Sequence, residues 1–334
     1  MLSYNRYLLR RLAQFVLVVF IGINVTYFIT HFTPIDPIEA TIGSLTQFST
    51  VSPEAIEMMR QSLRELYGLE GTPVEQYFAF WGRILTGDFG PSLSAFPTPV
   101  SVLIVRAIPW TIGLLLFATV LSWILGNILG GLAGYYRDNK TLKFIGVLAM
   151  GLHPIPYYIV AFVLLIIFGL LWPILPITGG FQMNMQVSLS PAFILSVIEH
   201  SILPALSLVL VGLGGWFLGM RSLVSNVVTE DYVIYAELGG VDRQRVLRSY
   251  VMRNAMVPQL TGLAMSLGAI FNGAIITEQV FGYPGVGHLL IQAVQAGDYS
   301  LVIGITSLSI IGVSVAVFLI DMMYPLLDPR VQLA

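Results

Sequence analysis

The sequence predicts an all-α, polytopic membrane protein, and three observations predict it. Hydrophobic residues make up 56% of the 334-residue chain and charged residues only 10%, against roughly 25% charged in soluble domains. Such a surface is too apolar for water, so lipid must be the solvent. The apolar residues come in runs of about 20 or more, the length at which a helix crosses a bilayer. Lys and Arg, finally, gather in alternate loops between those runs. The net charge of −2 argues against a nucleic-acid partner. The absence of cysteine excludes disulfides, thiolate metal sites and thiol chemistry on this chain.

The first run, Leu12 to Phe32, follows Arg6, Arg10 and Arg11. It lacks a small-residue cleavage pattern and is long enough to span, so it is expected as an uncleaved first transmembrane helix. Further runs lie at Trp110 to Tyr135, Phe144 to Pro173, Phe193 to Met220, Gln259 to Phe281 and Leu301 to Tyr324, which makes six expected spans. Pro154 and Pro156 predict a kink or late start in the third. Alternation places Arg137, Lys140, Lys143, Arg221, Arg243, Arg245, Arg248, Arg253 and Arg330 on the side of the N-terminus. The other side keeps only Arg60, Arg64, Arg83 and Arg106, all in the first outer loop. The positive-inside rule then puts both ends in the cytoplasm.

That outer loop, about Thr33 to Ile108, is too long for a bare connector. Ser52 reads as an N-cap and Pro53 as a first helical residue. Ala55, Met58, Met59, Leu63 and Leu66 follow at helical spacing, and Gly68 suits the stop. The aromatics Tyr77, Phe78, Phe80 and Trp81 suit a lid, a docking surface or a cap over helix ends.

A dense charged island, Glu237 to Pro258, separates the fourth and fifth spans. Helix is expected over Tyr232 to Leu238, broken by Gly239-Gly240. Asp242 is expected to cap a short second helix running to about Asn254, and Pro258 to open the next span. In the short helix Val246, Leu247, Tyr250 and Val251 share one face, with Arg243 and Arg248 on the other. Two readings stay open: an interfacial helix with arginines on lipid phosphates, or a helix laid in the groove of a cytoplasmic partner. Elsewhere, Gly126, Gly130 and Gly134, and Gly215 and Gly219, repeat at GxxxG spacing and predict close helix packing. Lone His31, His153, His200 and His288 read as structural, and Glu278 as an anchor for the turn that follows it.

The island also resembles a known motif. Tyr232-Val233, Ala236, Gly240, Arg245-Val246-Leu247, Arg253-Asn254-Ala255 and Pro258 are similar to the cytoplasmic "EAA" loop of ABC-importer permeases. "YLLRRLAQFVLVVF", "PIDP", "GDFGPSL", "PVSVLIVRAIPWTI", "ILPALSLVL", "EQVFGYPGVGHLL", Asp298-Tyr299 and "LLDPRV" extend the likeness through nearly the whole chain. Together they resemble the dipeptide/oligopeptide/nickel permease family, first of its two permease types. Glu237 and Gly239 depart from its usual basic residues. "GWFLGMRSL" and "GPSLSAFPTPV" look more like its oligosaccharide-linked branch.

The resemblance implies a six-helix permease with a long structured outer loop and a cytoplasmic coupling helix. Residues 1–33 would form the N-terminus and first span, 34–108 the extracytoplasmic region, and 109–334 a five-helix core whose coupling loop covers about 225–258. It implies half of a translocation pore in a prokaryotic plasma (inner) membrane, importing oligopeptides or oligosaccharides delivered by an extracytoplasmic binding protein. A nickel or metal-chelate importer and an ATP-independent secondary transporter are the alternatives. The partners implied are a second homologous permease and two cytoplasmic ATP-binding subunits. ATP and Mg would belong to those subunits, since this chain contains no GxxxxGK[ST] loop. No cofactor, metal or catalytic residue is implied on the chain, and neither HExxH nor GxSxG occurs. Ala236, Gly240, Asp242, Arg243, Arg245, Val246, Leu247, Arg248, Tyr250, Arg253, Asn254 and Pro258 would couple to the ATPase. Val246, Leu247 and Tyr250 would supply its apolar contacts.

Overall fold

A computed structural model describes residues 2–32, 38–39, 42–43, 52–67, 71–268, 270 and 274–327. The expectations at Pro34 to Pro37, Gly68 and Arg330 lie outside the described residues. Among those described, helices dominate, and the one β-bridge joins Pro91 to Pro99. The helices are α1 (Leu2–Phe32), α2 (Pro53–Tyr67), α3 (Pro73–Thr86), α4 (Val100–Tyr135), α5 (Lys140–Leu152) and α6 (Tyr157–Leu165). A π-helical turn, Ile166–Leu171, extends α6. Then follow α7 (Pro191–Val227), α8 (Asp231–Leu238), α9 (Arg243–Arg245), a π-helical stretch Val246–Met252 and α10 (Arg253–Gly268). α11 (Ile275–Val280), α12 (Val286–Ala296) and α13 (Tyr299–Leu327) complete the chain.

Among the described residues, α1, α4, α7 and α13 are long and apolar enough to cross a membrane. The expected third span is the pair α5 and α6, bent by 103° where His153 to Pro156 interrupt it. The break falls at the prolines as expected: His153 still has helical angles (φ −55, ψ −43), and the chain leaves them by Pro156, whose ψ is 135. The expected fifth span covers most of α10 and all of α11, with 269 and 271–273 outside the described residues.

The residues form two compact units. The first takes Met1–Trp110 and Gly285–Leu319. Its core joins Ile23 of α1, Ile84 of α3, Phe89, Val100 and Ile104 of α4, Ala293 of α12, and Leu301 and Ile305 of α13. Ser52 caps α2 through the Ala55 N–H, as expected. The packed face of α2 is Ile56, Met59 and Leu63, against Ile38 and Ile42. Met58, expected on that face, is instead exposed, because α2 is covered along one narrow stripe only.

The aromatics Tyr77, Phe78, Phe80 and Trp81 belong to α3, and all but the exposed Phe78 lie on α1. Tyr77 donates to Asn24 Oδ1 at 2.7 Å, Phe80 packs on Tyr27, and Trp81 stacks on Phe20. A capping box starts α3: the Glu75 N–H donates to Thr72 Oγ1, and the Thr72 N–H donates to Glu75 Oε2 at 2.7 Å. That backbone N–H, with the Thr72 hydroxyl, holds the Glu75 carboxyl below its ordinary range. A carboxyl depressed in the folded state stabilises above its unfolded value, and the contribution fades as pH falls through the folded one. The amides of the first turn of α3 are therefore expected to exchange faster, after intrinsic-rate correction, below about pH 4 than at pH 6. Glu75→Gln should abolish that difference, whereas Thr72→Ala, which keeps the backbone donor, should only reduce it and cost about 1 kcal/mol.

Two segments distant in sequence meet at Asp298. Its Oδ2 accepts from the Ser92 hydroxyl, from the Ser94 N–H at 3.0 Å and from the Ser94 hydroxyl at 2.9 Å. Its Oδ1 accepts from the Leu301 N–H at 3.0 Å, which makes Asp298 the N-cap of α13. The carboxyl is fully buried.

The second unit takes Thr111–Pro284 and Ile320–Gln332. The predicted GxxxG contact is its spine. A Cβ on Gly130 would stand 2.9 Å from Phe217 Cα, and one on Gly126 would stand 2.5 Å from Trp216 Cβ. On the other face of α7, a Cβ on Gly214 would come within 2.7 Å of the Ala149 carbonyl of α5. Between two apolar helices lipid supplies no hydrophobic drive, so close van der Waals contact is what holds such a pair together.

Candidate functional site

The charged island sits at one end of the second unit, beyond the C-terminus of α7. α8 turns Val233 and Ala236 inward, onto Met220 and Val224 of α7. These inward residues are three apart, one helical turn. The opposite stripe, Tyr235 and Leu238, is 73% and 79% exposed.

Gly239 and Gly240 then end the helix as expected. Gly240 takes φ +73, a left-handed conformation that side chains resist, and the Val241 N–H returns to the Ala236 carbonyl at 3.1 Å. Asp242 caps the next turn, accepting from the Gln244 N–H at 3.0 Å and the Arg245 N–H at 3.3 Å. On the neighbouring helix end, Arg137 donates to the Ser225 carbonyl at 3.0 Å, satisfying one of the acceptors that the end of α7 leaves open.

Two expectations are corrected here. The helix after Asp242 does not stop near Asn254. It passes through the π-helical stretch into α10, and Pro258 lies inside α10 rather than opening a span. Asn254 donates to the Tyr250 carbonyl at 2.6 Å, one turn before its own carbonyl, which Pro258 leaves without its helical donor. Val246 and Leu247, expected as contacts for a partner, are buried within the chain itself. Val246, Val251 and Ala255 complete the cluster with Val233 and Ala236, so the apolar face of this helix is already spent. Tyr250 is half-buried against the same cluster.

What faces outward is a different set. Arg243, Arg245, Arg248 and Arg253 are all exposed, and among the described residues none holds an ion pair. Beside them stand Tyr235 and Leu238. The sequence carried a signal for that pair: they repeat the three-residue spacing of Val233 and Ala236 on the other side of α8.

The remaining polar candidates serve the fold. Thr111 donates to Glu278 Oε1 at 2.7 Å, and the Tyr283 N–H donates to the Glu278 carbonyl at 2.8 Å, so Glu278 anchors its turn as expected. His200 Nδ1 lies 2.8 Å from the Ser196 carbonyl, and His153 packs against Gly214 and Gly215.

Residues 126–333, including the whole island, match the family described as binding-protein-dependent transport system inner membrane component. The chain belongs to that family. It is similar along nearly its full length to named peptide permeases. The oligopeptide transport system permease protein AppB of Bacillus subtilis is 28% identical over 84% of this chain and 88% of its own. The dipeptide transport system permease protein DppB of Escherichia coli is 29% identical, with 98% of each chain covered. DppB of Lactococcus lactis is 22% identical over 98% of this chain and 99% of its own. The protein is thus an ABC-importer permease of the peptide/nickel family, a multi-pass inner-membrane transport subunit.

Proposed function

We propose that this permease forms half of a pore that imports oligopeptides, and that the α8–α9 turn passes the work of ATP hydrolysis to it. A second permease completes the pore and a binding protein delivers cargo. Two ATP-binding subunits carry ATP and Mg; no cofactor binds this chain. The arginine-rich end faces the cytoplasm together with both termini, in keeping with the positive-inside rule. The cargo reading rests on the peptide permeases to which the chain is similar.

The coupling reading rests on one observation: an exposed Tyr235–Leu238 stripe and four exposed arginines ride on a turn fixed by Gly240 and Asp242 and backed by buried Val233, Ala236 and Val246. A rigid knob of this kind transmits displacement, because a packed cluster does not deform gradually. Tyr235 and Leu238 take the apolar contacts with the ATPase, Arg243, Arg245 and Arg248 the polar ones. Ala236 backs the turn from within the buried cluster, and Arg253, Asn254 and Pro258, exposed on the helix that follows, continue the coupling surface.

A photocrosslinker at Leu238 is expected to capture an ATP-binding subunit, while one at buried Val246 captures neither subunit nor lipid. Capture of lipid alone at Leu238 would refute the coupling reading. Gly240→Val, strained at positive φ, is expected to lower ATP-dependent uptake at least about tenfold while the complex still assembles. ATP hydrolysis by the whole complex in lipid, with its binding protein, tests the cargo. Stimulation by peptides supports the reading, and stimulation only by oligosaccharides or by nickel chelates replaces it.

A further inference from the structure

The chain between α6 and α7 is not built for water. From Phe144 to Ile198 it contains no Asp, Glu, Lys or Arg. Within that stretch, residues 172–190 leave the membrane helices yet keep large apolar side chains outermost. Trp172 and Ile174 are exposed, and Met183 and Leu189 are 89% and 93% exposed. This is not a loose tether. The Gly179 N–H donates to the Phe281 carbonyl at 2.8 Å, the Gln182 N–H to Ser196 Oγ at 2.8 Å, and Phe181 packs on Phe193. The backbone is held, Phe181 turns inward, and Met183 and Leu189 are presented outward.

We infer that residues 172–190 form an interfacial foot that lies in the headgroup boundary of the bilayer, with Trp172, Ile174, Met183 and Leu189 in the acyl region. Both ends of the segment emerge from membrane helices, α6 before it and α7 after it, so it starts at the bilayer surface and cannot travel far. Exposed Leu170 and Leu171 run directly into Trp172, making the foot continuous with the lipid-facing side of α6. Tryptophan is at home at that depth, where its ring is apolar and its N–H still finds water. The polar side chains among the apolar ones (Gln182, Asn184, Gln186, Ser188) are uncharged and exposed, fitting the headgroup side. A protein partner would be met without one charge to steer or register it, whereas lipid needs none. The foot lies at the opposite end of α7 from the arginine turn, so it anchors the other face of the membrane.

Because the chain has no native cysteine, single labels test this directly. Nitroxides at Met183→Cys and Leu189→Cys would be read in the assembled complex in phosphatidylcholine nanodiscs. Val16→Cys on α1 serves as the lipid reference and Gln61→Cys on α2 as the water reference. The expected result is an oxygen-to-nickel-chelate collision ratio at both sites near that of Val16, several-fold above Gln61. It should not change with salt or with added anionic lipid, since the foot carries no charge. A ratio like that of Gln61 would mean the loop stands in water and overturns the inference. Protection from both reagents would mean protein covers it, and overturns it too. Retained ATP hydrolysis by each labelled complex shows that the label has not unfolded the permease.

Discussion

Asp298→Ala is expected to destabilise the first unit by about 3 kcal/mol or more, read as a lowered melting temperature of the purified permease. Three donors on Ser92 and Ser94 and the first-turn N–H of Leu301 all end on this one buried carboxyl. Removing it strands the buried Ser92 hydroxyl and the buried Leu301 N–H, each at a cost of about 1–3 kcal/mol before relaxation, while the exposed Ser94 can turn to solvent. Asp298→Asn should recover only part of the loss. An amide presents one acceptor oxygen, so either the serine side or the Leu301 side must face an N–H₂ group. Ser92→Ala on the Asp298→Ala background should then cost much less than Ser92→Ala alone, because the pair shares one interaction. Additive losses would show that the two residues act separately.

The second large effect is expected at Gly130. Its hypothetical Cβ meets backbone, 2.9 Å from Phe217 Cα and 3.0 Å from Phe217 C, and backbone cannot swing away as a side chain end can. Gly130→Leu should therefore force α4 and α7 apart, with a loss of about 3 kcal/mol or failure to accumulate in the membrane. Gly113→Ala on the same helix is the contrast. A Cβ there meets nothing within 4 Å, and the better helix propensity of alanine should leave stability unchanged or raise it by up to about 1 kcal/mol. Equal damage at the two positions would place the cause in the helix itself rather than in the α4–α7 contact.

Most of the helical layout was legible in the sequence because it is written in local chemistry. Pro154 and Pro156 break the third apolar run, Gly240 takes the left-handed turn, and Asp242 and Ser52 cap the helices that follow them. The box Thr72-x-x-Glu75 was also on the page, yet the aromatics beside it suggested a surface before they suggested a helix. What stayed hidden depends on what an apolar face meets. The periodicity of Val246, Leu247 and Val251 announces burial but not the partner, and the chain's own α7 and α8 occupy that face. Tyr235 and Leu238 were overlooked for the converse reason: on a helix as short as α8 the inward and outward stripes are both apolar, and only packing tells them apart. Pro258 misled because a proline at a helix start and one in the second turn look alike in a sequence. The turn was therefore legible in the sequence, whereas which of its apolar residues are buried and which exposed was not.

The make-up of the first unit also orders the birth of the protein. Its core needs Ala293, Leu301 and Ile305 beside Ile23 and Ile84, and its outer segment needs Asp298 beneath Ser92 and Ser94. A ribosome delivers α1 and α3 long before it delivers α12 and α13. During that interval α1 and α3 can pack on each other but lack the rest of their core, and Ser92 lacks the Asp298 carboxyl, so they must wait in the membrane or be held by the insertion machinery. The residues assigned to the second unit up to Pro284 are all synthesised within that interval. Completion of the permease is thus a closure event, in which the last long helices return to residues made at the start, and a chain cut short before Gly285 would strand its own beginning.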